Sequence, residues 1–478
     1  MKIIIVGGGI SGLSTYLHLR KHLPDPSSHS IKIYESHPPR SSDTLPLNSK
    51  LNLDTLSNST ALVGGGLGIS PNGMRVLRDL NVDLHDAVAA QGFPAEKFVF
   101  KGANGWTLGV QRTGDGSVRT EGEPEEVCIA SSRHGIWECL RKAVGEGVVV
   151  YRRVVGLERV ENGGREEVGV RTKGLVDDSD GAGVEEVEEA DLVIGADGVR
   201  SIVRTSLFGN EEKFKPTYTG LSGVGGFLTQ SIPSSITKEK AMIFTFGRNG
   251  FFGYSSAAPV TTQSLMWWST FETSSLPDTK NIDTATIKAE LVKRHQHWRD
   301  PNVQEIVKNA QIQSIYPTWV LGELPHWGKE GIVLIGDAAH AMDPTTGQGA
   351  SQGLEDSQTL ALLLAETLKR EHISQSQPER MKRAVDLANE LFYEIRRPRV
   401  AEIVERGKMM SNRKANVGVV AEYFMYFFLW LLNKVPLIAK LILGDVNRKL
   451  YTWSAKNEIQ KALEKRDRTS ASSGNYAE

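Results

Sequence analysis

Residues 331–356 read GIVLIGDAAHAMDPTTGQGASQGLED, an apolar run that ends in a Gly-Asp pair and passes through a Pro/Gly turn into a helix. Ile332 to Ile335 form a short buried strand in this reading, because four apolar residues, some β-branched, are bounded by glycine at both ends. Asp337 then stands at a strand's carboxyl end, where open α/β sheets place their ligands. After Pro344, the backbone N–H groups of Gly347, Gly349 and Ala350 lie at the mouth of a helix continuing through Leu354, Leu360 and Leu363. Such a mouth favours an electron-rich ligand. A lone Gly-Asp is an ordinary turn; the length of this pattern points to a binding site.

Two further strand ends carry the same kind of signal. Lys2 to Val6 is an apolar strand, and GGGISG follows it, giving GxGxxG as Gly7, Gly9 and Gly12. These glycines permit a tight turn, close approach of backbone to a pyrophosphate, and close helix packing. The helix that follows breaks at Pro24 and Pro26, and Ile31 to Tyr34 is the next strand. Glu35 ends it, near the ~20-residue spacing at which an acid receives a ribose hydroxyl. FAD and NAD present the same adenosine ribose and pyrophosphate, so these residues leave the two open. Asp191 to Arg204, DLVIGADGVRSIVR, is a third strand running into Asp197-Gly198 and then a helix with basic residues, Arg200 among them.

Taken with three more stretches, these segments resemble the single-component class A flavoprotein monooxygenases of the p-hydroxybenzoate hydroxylase and salicylate hydroxylase type, with a likeness to their fungal secondary-metabolite branch. The further stretches are GGGLGISPNGMRVLRDL at Gly64 to Leu80, SSRHGIWECL at Ser131 to Leu140, and YEIRRPRVAEIVERGKMM, which ends at Met410. The resemblance covers roughly Met1 to Met410 and implies FAD as cofactor, NADPH or NADH as co-substrate, O2, and a small-molecule substrate. In that family the aspartate matching Asp337 holds the ribitol chain, and the helix after Pro344 points its amino end at the isoalloxazine ring. The arginine matching Arg133 lies beside the flavin. Residues matching Asp197 and Arg200 touch the flavin site and help reduction by NAD(P)H, so they are the catalytic candidates. The implied reaction hydroxylates or epoxidises an aromatic, polyketide or terpenoid-type molecule in secondary metabolism. A flavin reductase without oxygen transfer, or an idle flavin-binding protein, keeps the same motifs. Two departures are Asn81, where relatives carry glycine and where asparagine also tolerates a left-handed helix end, and His134-Gly135 in the arginine helix. His340 reads as a packing residue rather than a base, and Arg396, Arg397 and Arg399 as structural bridges. Arg40, in a loop rich in proline and serine, has phosphate contact and plain solvation as equal alternatives.

The expected fold class is α/β. A discontinuous Rossmann-type FAD-binding domain takes residues 1–80, 125–209 and 328–372. A second, antiparallel-sheet substrate domain takes 81–124 and 210–327, with aromatic strands between Phe214 and Trp327. A C-terminal helical region, 373–464, precedes a disordered tail, 465–478. The chain of 478 residues has 40% hydrophobic and 24% charged residues and a formal net charge of -1. That balance gives no general attraction to nucleic acid. Two cysteines form neither a disulfide framework nor a metal quartet, and His295 with His297 lacks further ligands, so no metal is expected. The reading is intracellular, cytoplasmic or peripherally membrane-associated, since a strand beginning at Lys2 leaves no room for a secretory leader. Residues 417–443 are unusually apolar, but Glu422 and Lys434 bound an uncharged run of 11 residues. A membrane span needs ~20, so packing on the body and peripheral membrane contact are the two alternatives. The sequence leaves the oligomeric state open.

Overall fold

The apolar runs that end in glycine pair side by side. In the computed structural model, Lys2–Val6 lies parallel between Ser30–Glu35 and Leu192–Gly195, and the latter pairs in parallel with Ile332–Leu334. The structure describes residues 1–38, 65–114, 125–162, 165–175, 185–273, 275–277, 283–312, 315–370, 377–411, 418–435, 437 and 446–474. Residues 39–64 lie outside the described residues, and with them Arg40 and the first glycine of the 64–66 turn. Ile3, Ile4 and Ile5 have no exposed surface, as expected of a parallel strand covered on both sides. Val149–Asn162 joins Ser30–Glu35 in parallel and then runs antiparallel with Arg165–Gly174, which pairs with Glu185–Ala190. Gly328–Lys329 forms the other edge of this eight-stranded sheet.

Two helices pack closely beside the first strand because small residues meet between them. Thr15 Oγ1, on Ile10–His22, lies 2.9 Å from Ser357 Oγ on Gly349–Arg370, and Ser357 Oγ donates to the Ser11 carbonyl at 3.1 Å.

The second, seven-stranded sheet runs Tyr316–Val320, Thr217–Thr229, Ser264–Glu272, Gly250–Ser256, Ala241–Gly247, Lys97–Gly102, Thr107–Arg112. It departs from pure antiparallel pairing once, where Ala241–Gly247 lies parallel to Lys97–Gly102. Strand alternation splits the expected aromatics between two faces. Phe252, Tyr254 and Trp267 enter a core with Leu291, His295 and Trp298, and Phe252 stacks on Trp267 at 5.9 Å. Phe246 and Phe251 face the other way, against Met425 and Tyr426. Phe93–Ala95 belongs to neither large sheet; it pairs with Cys128–Ser132, which also pairs with Gly66–Ile69.

Two expectations are corrected. Asn81 is extended, at φ −162°, rather than left-handed, and its side chain accepts the Leu84 N–H at 2.8 Å. It ends one helix by starting the next, which suits asparagine at an N-cap. The tail expected to be disordered from Lys465 continues the helix Ala455–Gly474. Arg466 pairs with Glu390 at 3.0 Å and Asp467 with Arg370 at 3.0 Å, tying that helix to the body. The helix Val419–Lys434 buries Met425 and Tyr426 while Val420, Phe424 and Phe427 on its other side are 85, 70 and 56% exposed. Among the described residues no helix is long and apolar enough to cross a membrane.

His18, on the first helix, is fully buried and stacks on His22 at 5.7 Å, with no hydrogen-bond partner among the described residues for either ring nitrogen. Burial, then His22 and Lys21, hold it well below the ordinary 6.5. Burial likewise lowers His22, to about 4, aided by Lys21, Lys456 and Lys369 and opposed by Asp79. The unfolded chain therefore binds more protons once the pH drops below the ordinary histidine value, and stability falls with it. Melting temperature is expected to decline between about pH 7 and about pH 5, and His18→Leu to flatten that decline. An equally steep decline in the variant would place the acid sensitivity elsewhere.

Candidate functional site

The three motifs found at strand ends sit at one edge of the parallel sheet, joined by backbone hydrogen bonds. Gly7 N–H donates to Tyr34 O at 2.8 Å, Ala196 N–H to Val6 O at 2.8 Å, and Ile335 N–H to Gly195 O at 3.0 Å. Gly7 has φ +106°, and a Cβ there would stand 2.4 Å from the Ala196 carbonyl oxygen and 3.0 Å from Asp197 Cα. A Cβ on Gly12 would stand 1.9 Å from the Gly7 carbonyl oxygen. These two glycines are required by neighbouring backbone. Gly9, Gly347 and Gly349 differ, because a Cβ on any of them would meet nothing within 4 Å. They face open space at the sheet edge, the arrangement that lets a ligand approach backbone closely.

Glu35 is pulled toward the glycine loop. Its Oε2 accepts the Gly8 N–H at 2.7 Å and its Oε1 the His37 N–H at 2.9 Å. Trp137, which the sequence reading passed over, donates its indole N–H to the Gly8 carbonyl at 2.8 Å and so ties the helix Arg133–Val144 to that loop. Arg133 opens this helix with an exposed side chain.

Asp197 works partly as scaffold. Its Oδ2 accepts the N–H groups of Ile202 at 2.7 Å and Val203 at 3.2 Å, at the start of Ile202–Phe208. Its Oδ1 is buried with no hydrogen-bond partner among the described residues. Burial raises this carboxyl above its ordinary value, against the Ser201, Val203 and Ile202 hydrogen bonds that lower it. Arg200 is exposed. The arginine that joins the strand ends is Arg204, which is 3% exposed. It donates to Val199 O at 2.6 Å, Ala338 O at 2.9 Å and Phe214 O at 3.1 Å, linking the Asp197 loop to the Asp337 turn. Its spacing on a short helix after Asp197-Gly198 was visible in the sequence, but its burial was not.

Asp337 itself is exposed, at the first position of the short helix Asp337–His340. Beside it, the turn before Gly349 is fixed by Asn72, which donates to Gln348 Oε1 at 3.1 Å and to Glu355 Oε1 at 2.7 Å. Gln348 in turn donates to Ser70 Oγ at 2.9 Å, so the Pro-Asn segment holds the helix mouth in place. His340 donates to Asp356 at 2.6 Å and packs on Trp327, buried away from the open edge.

The residues present fit a flavin dinucleotide: a glycine loop with one backbone-thin position, an acid beside it, an exposed aspartate on the next strand end but one, a helix mouth without side chains, and an unsatisfied carboxylate oxygen at Asp197 between them. Glu35→Ala is expected to raise the Kd for FAD about tenfold to a hundredfold, since a hydrogen bond to a charged group contributes roughly 1.5 to 3 kcal/mol. Titration of the apoprotein measures it; an unchanged Kd would reduce Glu35 to a loop brace.

Comparison with known proteins agrees with this geometry. The family described as "FAD binding domain" matches residues 52–390, a span that contains Asp197 and Asp337 and leaves Gly7 to Gly12 outside as a separate signal. Aurachin C monooxygenase/isomerase of Stigmatella aurantiaca is 26% identical over 373 residues, 76% of this chain and 81% of that protein. Chloroplastic zeaxanthin epoxidase of Arabidopsis thaliana is 30% identical over 297 residues, 60% of this chain, and the match spans 40% of that longer protein. A salicylate hydroxylase substrate complex shares the fold, with a TM-score of 0.64 at 17% identity over 97% of this chain and 98% of that one. The chain belongs to the FAD binding domain family.

Proposed function

We propose that this protein is an FAD-dependent monooxygenase that oxidises NADH or NADPH, inserts one atom of O2 into a small organic molecule, and releases the other atom as water. The observation that carries this reading is the meeting of Gly7 to Gly12, Asp197 and Asp337 on one strand edge, in a chain of this family. FAD, when bound, supplies the two-electron chemistry and the activation of O2. The chain's own residues bind and orient. Glu35 would hold the adenosine ribose, the backbone at Gly9 the pyrophosphate, and Asp337 the ribitol. The amino end of Gly349–Arg370, with Gly347 and Ala350, would hold the electron-rich part of the ring. Arg133 would help hold it, and Asp197 and Arg200 would serve reduction by the nicotinamide. The relatives' names, an aurachin, a zeaxanthin and a salicylate enzyme, support an aromatic or terpenoid-type substrate, hydroxylated or epoxidised, in secondary metabolism.

The exposed side of Val419–Lys434, with Val420, Phe424 and Phe427, supports peripheral contact with a lipid surface as a second partner. Flotation with phosphatidylcholine vesicles, lost in a Phe424→Glu/Phe427→Glu variant, is the expected result; wild-type protein that never floats would end the idea.

Reduction separates the possible jobs of Arg200. Arg200→Ala should slow anaerobic bleaching of the flavin by NAD(P)H about tenfold, the value of one charge-assisted hydrogen bond, while FAD content and melting temperature stay near wild type. Normal bleaching with a lowered melting temperature would assign Arg200 to the scaffold.

A further inference from the structure

Asp337 projects from a turn whose two ends hang on a single oxygen atom. Asp356 Oδ2 accepts the Gly336 N–H at 2.8 Å and the His340 Nε2–H at 2.6 Å, and these two residues bracket Asp337. Gly336 has φ +57°, and a Cβ there would stand 2.6 Å from Ser11 Oγ, so the turn has little room to adopt another course. The other oxygen of the same carboxylate, Asp356 Oδ1, accepts Arg396 Nε–H at 2.7 Å. Arg396 has no exposed surface, and neither has Asp356. The remaining guanidinium nitrogens donate to Glu355 Oε2 at 2.6 Å and Gln352 Oε1 at 2.7 Å, and the ring of Trp453 covers the group at 4.8 Å.

Burial alone would raise the Asp356 carboxyl; His340 and Arg396 override it and hold the group below its ordinary value. Buried ion pairs of this kind contribute little net stability compared with apolar residues of equal volume. A planar guanidinium does fix angles that apolar packing does not, since its nitrogens hold Asp356 Oδ1, Glu355 Oε2 and Gln352 Oε1 from one rigid plane.

We infer that Arg396, more than one hundred positions from the glycine loop and out of reach of solvent, is a positioning residue for the cofactor: through Asp356 it fixes the Gly336 to His340 turn and thereby aims Asp337 at the ribitol chain. The inference rests on the proposed role of Asp337. Arg396→Lys keeps the cation and loses the fork, so the turn keeps its fold and loses its aim.

The test is equilibrium titration of apoprotein with two probes, FAD and ADP. ADP carries the adenosine and pyrophosphate and lacks the ribitol. Arg396→Lys is expected to weaken FAD about tenfold and to leave ADP binding within about twofold of wild type. Asp337→Ala should show the same pattern, and the double variant should lose no more than Asp337→Ala alone, because the two changes act on one interaction. Asp356→Asn, which keeps the volume, reads the same link should Arg396→Lys fail to fold, and the same split between FAD and ADP is expected. Equal weakening of FAD and ADP, or losses that add in the double variant, would overturn the positioning role and leave Asp337's role standing. Unchanged FAD affinity in Asp337→Ala would overturn both.

Discussion

Parallel pairing of Lys2–Val6 between Ser30–Glu35 and Leu192–Gly195 is the constraint on which the rest depends. Parallel strands end at the same edge, so the loops that leave them are delivered to one place whatever their separation in sequence. Here that place receives Gly7, Asp197 and, by way of Ile332–Leu334, Asp337. Loops so close cannot all carry side chains. Gly7 yields to the Ala196 carbonyl and Gly12 to Gly7, and the space beyond Gly9 is left for a ligand.

Holding such an edge open requires support from behind, and the support is polar. Glu355 lies between Asn72, Arg396 and Arg399, and Arg399 reaches both of its oxygens at 2.6 Å. Burial would raise the Glu355 carboxyl, yet Arg399 and Arg396 hold it below its ordinary value. As pH falls into the range where these depressed carboxyls at last protonate, the cluster loses its attraction and its contribution to stability. Arg204 does similar work on the opposite flank through three carbonyls. The cofactor edge is thus framed by arginines that do not themselves face it.

What the sequence made legible is what local pattern encodes. Short apolar runs closed by glycine became the central strands, and the acids read at strand ends, Glu35 and Asp337, do stand at the ends of Ser30–Glu35 and just beyond Ile332–Leu334. What it hid is set by partners far along the chain. Nothing near Trp137 announces a bond to the Gly8 carbonyl, and nothing within DGVRSIVR says that Arg204 is buried while Arg200 is exposed. The parallel pairing of Lys97–Gly102 with Ala241–Gly247 is invisible to alternation, which reports faces and not neighbours. Arg396, Arg397 and Arg399 were read as one structural group, yet they part company. Arg397 pairs with Glu323 at the surface, whereas the other two are buried against Glu355.

Transfer of one oxygen atom from O2 to an aromatic, polyketide or terpenoid-type substrate is the step that separates a monooxygenase from a flavin reductase. Turnover with NAD(P)H under heavy-isotope O2, across a panel of phenols, polyketides and prenylated indoles, measures it by mass spectrometry of the product. An accepted substrate is expected to accelerate NAD(P)H oxidation and to gain one labelled oxygen atom, with none from labelled water. Flavin reduction that no member of the panel couples to labelled product, with all the O2 recovered as hydrogen peroxide, would contradict it.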